Sequence, residues 1–177
     1  MYRASLVLRL TCLGLFAFFI VVTPLILNAD PSCDLAWDAA SVPPMDGVTL
    51  ALTSWDPDGG GTQPPVLVAG GYFTSVGGVS ANNIATWNGA FWQGMGAGVN
   101  GVVYSAVVLA GELIVGGEFT QAGGLPVGYI ARWNGVEWLP MGKGMDNWVT
   151  ALAVYNGDLI AGGYFTIAGG SSAARLA

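Results

Sequence analysis

Apolar and polar positions along this chain fall into short runs of strand length that recur, with no helical stripe among them. Residues 149–155 (VTALAVY) are one such run. Asn156-Gly157 follows, a pair suited to the two positive-φ positions of a tight hairpin. Residues 158–166 then return as a second strand. In the preceding copy, 129–133 (YIARW) reads as a third strand, Asn134-Gly135 turns it, and 136–140 (VEWLP) comes back as a fourth. An earlier copy repeats this as 84–87, Asn88-Gly89 and 90–92. One period therefore predicts four short antiparallel strands and two tight hairpins. Outside the N-terminal segment no stretch holds a 3.6-residue period.

The period is fixed by three strings. Residues 70–74, 116–120 and 162–166 read GGYFT, GGEFT and GGYFT, spaced 46 apart. Each is followed by a second glycine pair, Gly77-Gly78, Gly123-Gly124 and Gly169-Gly170. Four strands repeated at this length form the unit of a β-propeller blade. The predicted fold class is thus all-β, with about three propeller blades after Asp30. Glycine suits the places where strands approach closely. Trp87/Trp92 and Trp133/Trp138 recur at the same offset of 46. They are expected to fill the space between successive sheets, the alternative being exposed rings that stack on a sugar or another ring ligand.

The first copy is longer. The spacing of its tryptophans and valines places nine extra residues within 55–65, where a hairpin tip is expected on the surface. Propellers close with about 4–8 blades. Ala177 aligns with Ala131 in the middle of a strand. A fragment of a longer propeller is the expectation. The alternative is closure by self-association of several chains.

Residues 1–29 read as an address. Arg3 and Arg9 precede or open an apolar run, 10–27, with Pro24 near its end and Ala29 as a small exit residue. This is the layout of a signal peptide, the alternative being a retained N-terminal anchor. Either reading puts the repeats, 30–177, outside the cytoplasm. Stable membrane contact is expected only if the segment is retained.

Composition removes several function classes. Net charge is −6, with five basic residues against eleven acidic ones. Scattered cations make no phosphate-binding stripe, so nucleic acid is not an expected partner. Histidine is absent, and with it the commonest general base and metal ligand. Cys12 lies in the apolar segment, which leaves Cys33 as a lone, inert thiol in a processed chain. The glycine strings are not phosphate loops, because no Lys-Ser or Lys-Thr follows and no helix opens.

Two spots invite closer attention. Asp56-Pro57-Asp58-Gly59 has alternating carboxylates and a glycine, as calcium loops do, although further ligands are missing nearby. A solvated hairpin tip is the other reading. Glu118 stands where the sister copies have Tyr72 and Tyr164. It marks either function or drift. No catalytic, cofactor-binding or metal-binding residue is assigned, and no cofactor is expected. The partner is an unknown protein or glycan.

The strings G-G-x-F-T-x-A-G-G, I-A-R-W-N-G and A-L-A-V-Y-N-G-D-L resemble repeats of large secreted bacterial proteins described as kelch-like or galactose-oxidase-like β-propellers. Fungal cortical polarity-marker proteins carry similar strings. The resemblance implies an extracellular or cell-surface propeller without assigned biochemistry. It does not extend to galactose oxidase chemistry, whose copper site needs histidines that this chain lacks. The resulting expectation is a non-catalytic extracellular repeat segment with an interaction or structural role. The alternative is part of a secreted carbohydrate-active enzyme whose catalytic residues lie in other blades.

Overall fold

The computed structural model describes residues 43–177 and, before them, two short strands, Val7–Leu8 and Trp37–Asp38, which pair antiparallel. The apolar segment 10–27, Cys12 and Cys33 lie outside the described residues. The chain divides into two compact units at Val42/Pro43, and all that follows concerns the second.

That unit is built from antiparallel sheets in series. Blade 1 consists of Val48–Trp55, Val66–Tyr72, Ile84–Trp87 and Trp92–Gly94, each hydrogen-bonded to the next in that order. Blade 2 repeats it with Val103–Leu109, Glu112–Gly117, Ile130–Trp133 and Trp138–Pro140. Blade 3 has Val149–Tyr155 paired with Asp158–Gly163, and a bridge from Gly162 to Leu176 begins its third strand. The first strand of blade 2 packs beside the first strands of both neighbours. No helix is present among the described residues.

Each period also contains a small hairpin that the sequence pattern does not show. The second strand ends at Gly163 in blade 3, not at Thr166. The chain bends there, and Ile167–Ala168 pairs with Ser171–Ser172. Ser75–Val76 with Val79–Ser80, and Gln121–Ala122 with Leu125–Pro126, are its counterparts. The second glycine pair of each repeat makes its turn, with Gly123 at φ 59° and Gly124 at φ 83°. The phenylalanine of each string, Phe73, Phe119 or Phe165, is buried beneath it.

The hairpins between strands are of two kinds. Asn156-Gly157 is the expected two-residue turn, with φ of 53° and 88°. Asn88-Gly89 and Asn134-Gly135 are not, since only the glycine has positive φ there. Asn134 Oδ1 accepts from the N–H groups of Val136 and Glu137, which holds the chain in a wider turn. The fourth strand consequently starts at Trp138 rather than 136. The third strand starts at Ile130, because Tyr129 is left-handed at φ 60°.

Ala110 and Gly111 occupy the tip that Asn156 and Gly157 form in blade 3. Ala110 has φ 51°, a conformation that costs an alanine more than an asparagine. Ala110→Asn is expected to stabilise the protein by about 0.5–1 kcal/mol, read as a raised denaturation midpoint. An unchanged or lowered midpoint would refute the strain.

Register corrects the length of the long tip. Thr49 lies opposite Gly71, as Val103 does opposite Gly117 and Val149 opposite Gly163. Trp55 pairs with Val66 just as Leu109 pairs with Glu112. The loop 56–65 therefore replaces a two-residue tip, and the insertion is eight residues, one fewer than the sequence spacing gave.

The core lies between sheets. Trp138 and Trp133 pack at 5.3 Å between ring centres, inclined at 55°, and both are buried. Trp87 and Trp92 repeat the pair at 5.5 Å and 48°. Trp133 and Trp138 thus fill the space between blades 1 and 2, the role expected of them. Trp138 Nε1 donates to the carbonyl of Met95 across the junction of blades 1 and 2, and Trp55 Nε1 donates to that of Gly111. Its counterpart Trp92 Nε1 has no acceptor among the described residues. Leu152 N–H donates to Ser105 Oγ between blades 2 and 3.

Candidate functional sites at the blade junctions

Most of the carboxylates and side-chain amides that the repeats place in their loops are used to hold backbone. Asp46 Oδ1 accepts from the N–H groups of Thr74 and Ser75, and its Oδ2 accepts from both hydroxyls. Asn100 Oδ1 likewise accepts from the N–H groups of Thr120 and Gln121, while its Nδ2 donates to the Thr120 hydroxyl. Asp146 Oδ1 accepts from the N–H groups of Thr166 and Ile167, and its Oδ2 from the Thr166 hydroxyl. Each forms a clasp between the loop entering a blade and that blade's small hairpin. The sequence signal was an Asp or Asn at a recurring position, hidden by the extra residues of the long tip.

The clasps have an acid signature. The hydroxyl of Thr74 and then the N–H of Ser75 hold the Asp46 carboxyl down at about 2, below its ordinary 3.8. Asp146 is lowered as well, first by the N–H of Ile167. Because the folded values lie below the unfolded ones, this stabilisation is complete above pH 3.8 and is lost as pH falls toward about 2. Asn100 does not titrate. The double variant Asp46→Asn, Asp146→Asn is expected to lose stability less steeply than the parent between pH 4 and about 2. Parallel curves of melting temperature against pH would contradict this.

The carboxylates of the long tip also hold backbone. Asp56 Oδ1 accepts from the N–H groups of Asp58 and Gly59, and its Oδ2 from Gly60. Asp58 Oδ2 accepts from Gln63 N–H at 3.0 Å, and that bond is the main cause that lowers its pKa. Three of the four carboxylate oxygens thus accept from the loop's own backbone. No group of three or more acidic or cysteine side chains gathers in metal-binding range among the described residues.

Between blades 1 and 2 the long tip walls a cleft of about 260 Å³. Trp55, Phe91 and Trp133 supply its rings, and Gln63, Asn88 and Gln93 its amides. Among the described residues no charged side chain lines it. Phe91 is 58% exposed, large for a ring that no neighbour covers. The sequence pattern placed an insertion here but gave no sign that Trp55 and Trp133, from successive blades, would line one cleft.

Glu118 lies at the other end of the strands, between blades 2 and 3. Its Oε2 accepts a 2.6 Å hydrogen bond from the phenol of Tyr104. That bond, then desolvation, raises the pKa of Tyr104. Tyr104 is the residue skipped by the ladder where Ser105 pairs with Gly116 and Val103 with Gly117. Such a bulge re-aims a side chain. Trp148 lies 6.5 Å from Tyr104, and Tyr164 meets Trp148 edge to face at 6.0 Å.

Comparison with known families supports the architecture. Residues 111–135 match the model of a "Domain of unknown function (DUF5122) beta-propeller". These residues span the second and third strands of blade 2. The fold is that of β-propeller blades. The match is to β-propeller repeats in general and does not reach the narrower kelch-like or galactose-oxidase-like groups. Neither the curated proteins nor the solved structures contain a match to this chain.

Proposed function

We propose that this β-propeller region is a non-catalytic extracellular interaction module that binds a neutral glycan in the cleft between blades 1 and 2. The observation that carries the reading is the lining of that cleft, three aromatic rings and three amides with no charge. The exposed Phe91 ring can cover the apolar face of a pyranose, with the buried Trp55 and Trp133 as apolar wall behind it, and the amides exchange hydrogen bonds with its hydroxyls. A charged or metal-dependent ligand would find no counter-group there. The extracellular placement rests on the basic-then-apolar layout of 1–29 and on the likeness of the repeats to secreted kelch-like proteins.

The non-catalytic reading draws on how the acids are placed. Hydrolysis of a glycosidic bond needs two carboxyl groups facing each other across the substrate. Asp46, Asp56, Asp58 and Asp146 are committed to backbone N–H groups instead. A screen of the secreted full chain against neutral oligosaccharides should find binding without turnover. Phe91→Ala is expected to weaken it about tenfold with an unchanged melting temperature. Hydrolysis of a bound glycan would establish the enzyme alternative, and the absence of any glycan ligand would remove the cleft as a sugar site.

A further inference from the structure

The cluster between blades 2 and 3 has a different chemistry from the cleft. Its rings stand at two inclinations, 46° between Tyr104 and Trp148 and 86° between Trp148 and Tyr164. Trp148 is 40% exposed and Tyr164 58%, so the faces remain open to a ligand. Glu118 adds a carboxylate beside the rings, tied to them through Tyr104. No cation pairs with it among the described residues. The ion pair among the described residues joins Arg132 to Glu112 instead.

The molecule contains its own control. By register, Leu50, Tyr104 and Thr150 are equivalent, as are Val48, Val102 and Trp148. The junction of blades 1 and 2 thus has Leu50 and Val102 where the junction of blades 2 and 3 has Tyr104 and Trp148. Departures from the repeat at Tyr104, Glu118 and Trp148 converge on one spot. Drift at unrelated positions has no reason to do so.

We propose that Tyr104, Glu118, Trp148 and Tyr164 form an open cage for an organic cation of the quaternary-ammonium type. Ring faces attract cations through their quadrupole, and indole does so most strongly. A hydrated divalent ion would need several oxygen ligands, and the cluster offers one carboxylate. A primary ammonium would seek three acceptors, whereas one Glu118 oxygen is already engaged by the Tyr104 phenol. A methylated ammonium donates no hydrogen bond and needs only ring faces and a nearby negative charge. A free methylated amine and a choline headgroup share this chemistry.

Titration calorimetry of the full chain with tetramethylammonium tests the cage. Saturable binding is expected, while tert-butanol, a neutral molecule of similar shape, should not bind. Trp148→Ala and Tyr164→Ala should each weaken binding roughly threefold to tenfold. Glu118→Gln keeps an acceptor for Tyr104 and removes only the charge, and should weaken it similarly. Tyr72→Ala, at the equivalent place in blade 1, should leave it unchanged. Circular dichroism identifies any variant that fails to fold, and Glu118→Gln alone then decides. Equal binding of tert-butanol, no binding of tetramethylammonium, or indifference to Glu118→Gln would overturn the proposal. Phosphatidylcholine vesicles form a separate arm. Capture that depends on Trp148 assigns the source to a lipid headgroup, and binding of the free cation alone assigns it to a soluble amine.

Discussion

Gly117→Ala is expected to destabilise the protein by about 3 kcal/mol or more, in the range of severe overpacking. A Cβ at this position would fall on the carbonyl oxygen of Val102 and lie 2.9 Å from the Phe119 ring. The oxygen belongs to the backbone just before the bulged first strand of the same blade, so no rotamer change can relieve the clash. Gly71 and Gly163 face the carbonyls of Val48 and Trp148 in the same way. Gly116 differs. Its added Cβ would meet Val149 Cγ1 at 2.5 Å, a side chain of the next blade, so Gly116→Ala should loosen the blade junction at lower cost. Gly124→Ala provides the reference. Nothing lies within 4 Å, and its cost is the φ of 83° alone, about 1–2 kcal/mol. Urea denaturation of the three variants gives the order directly. Gly124→Ala as the most damaging would show that backbone conformation, rather than close approach, dictates the glycines.

Trp138→Ala should cost about 3–5 kcal/mol, because the side chain is fully buried and its removal leaves a cavity between blades 1 and 2. The more informative pair is Trp138→Phe with Trp92→Phe. Both keep a ring in the core. Among the described residues only the first breaks a hydrogen bond, the one to the Met95 carbonyl at 2.8 Å, and strands that acceptor. Trp138→Phe is therefore expected to cost about 1–2 kcal/mol more than Trp92→Phe. Equal costs from the denaturation curves would mean that the indole bond across the blades contributes nothing beyond packing.

What could be read from the chain alone follows from what repeats. The strand order, the paired tryptophans and the Asn156-Gly157 hairpin are local patterns, each contained within one 46-residue period. The small hairpin escaped because its strands are two residues long, too short for any alternation to appear. The clasps escaped because Asp46 and Thr74 are 28 residues apart, and only the folded blade joins them. The eight-residue tip shows the limit of spacing arguments. A one-residue difference before Thr49 shifts the alignment, and only the ladder opposite Gly71 resolves it. Glu118 stood out as a departure from the repeat, but its meaning depended on Tyr104, Trp148 and Tyr164. Tyr104 is a strand residue and Trp148 and Tyr164 sit just outside strand ends, so none stands out until the bulge and the neighbouring blade bring them together.

The long tip has a consequence for how such a protein diversifies. Its ten residues are closed by Asp56 and Asp58 on their own backbone, while Trp55 and Val66 below keep the same pairing as the short tips. The sheet is insulated from the loop that rides on it. Lengthening or rewriting a tip therefore changes the walls of a cleft without changing the blade. The corresponding turns at Ala110-Gly111 and Asn156-Gly157 are ports for the same kind of change, through which one scaffold can be fitted to many ligands.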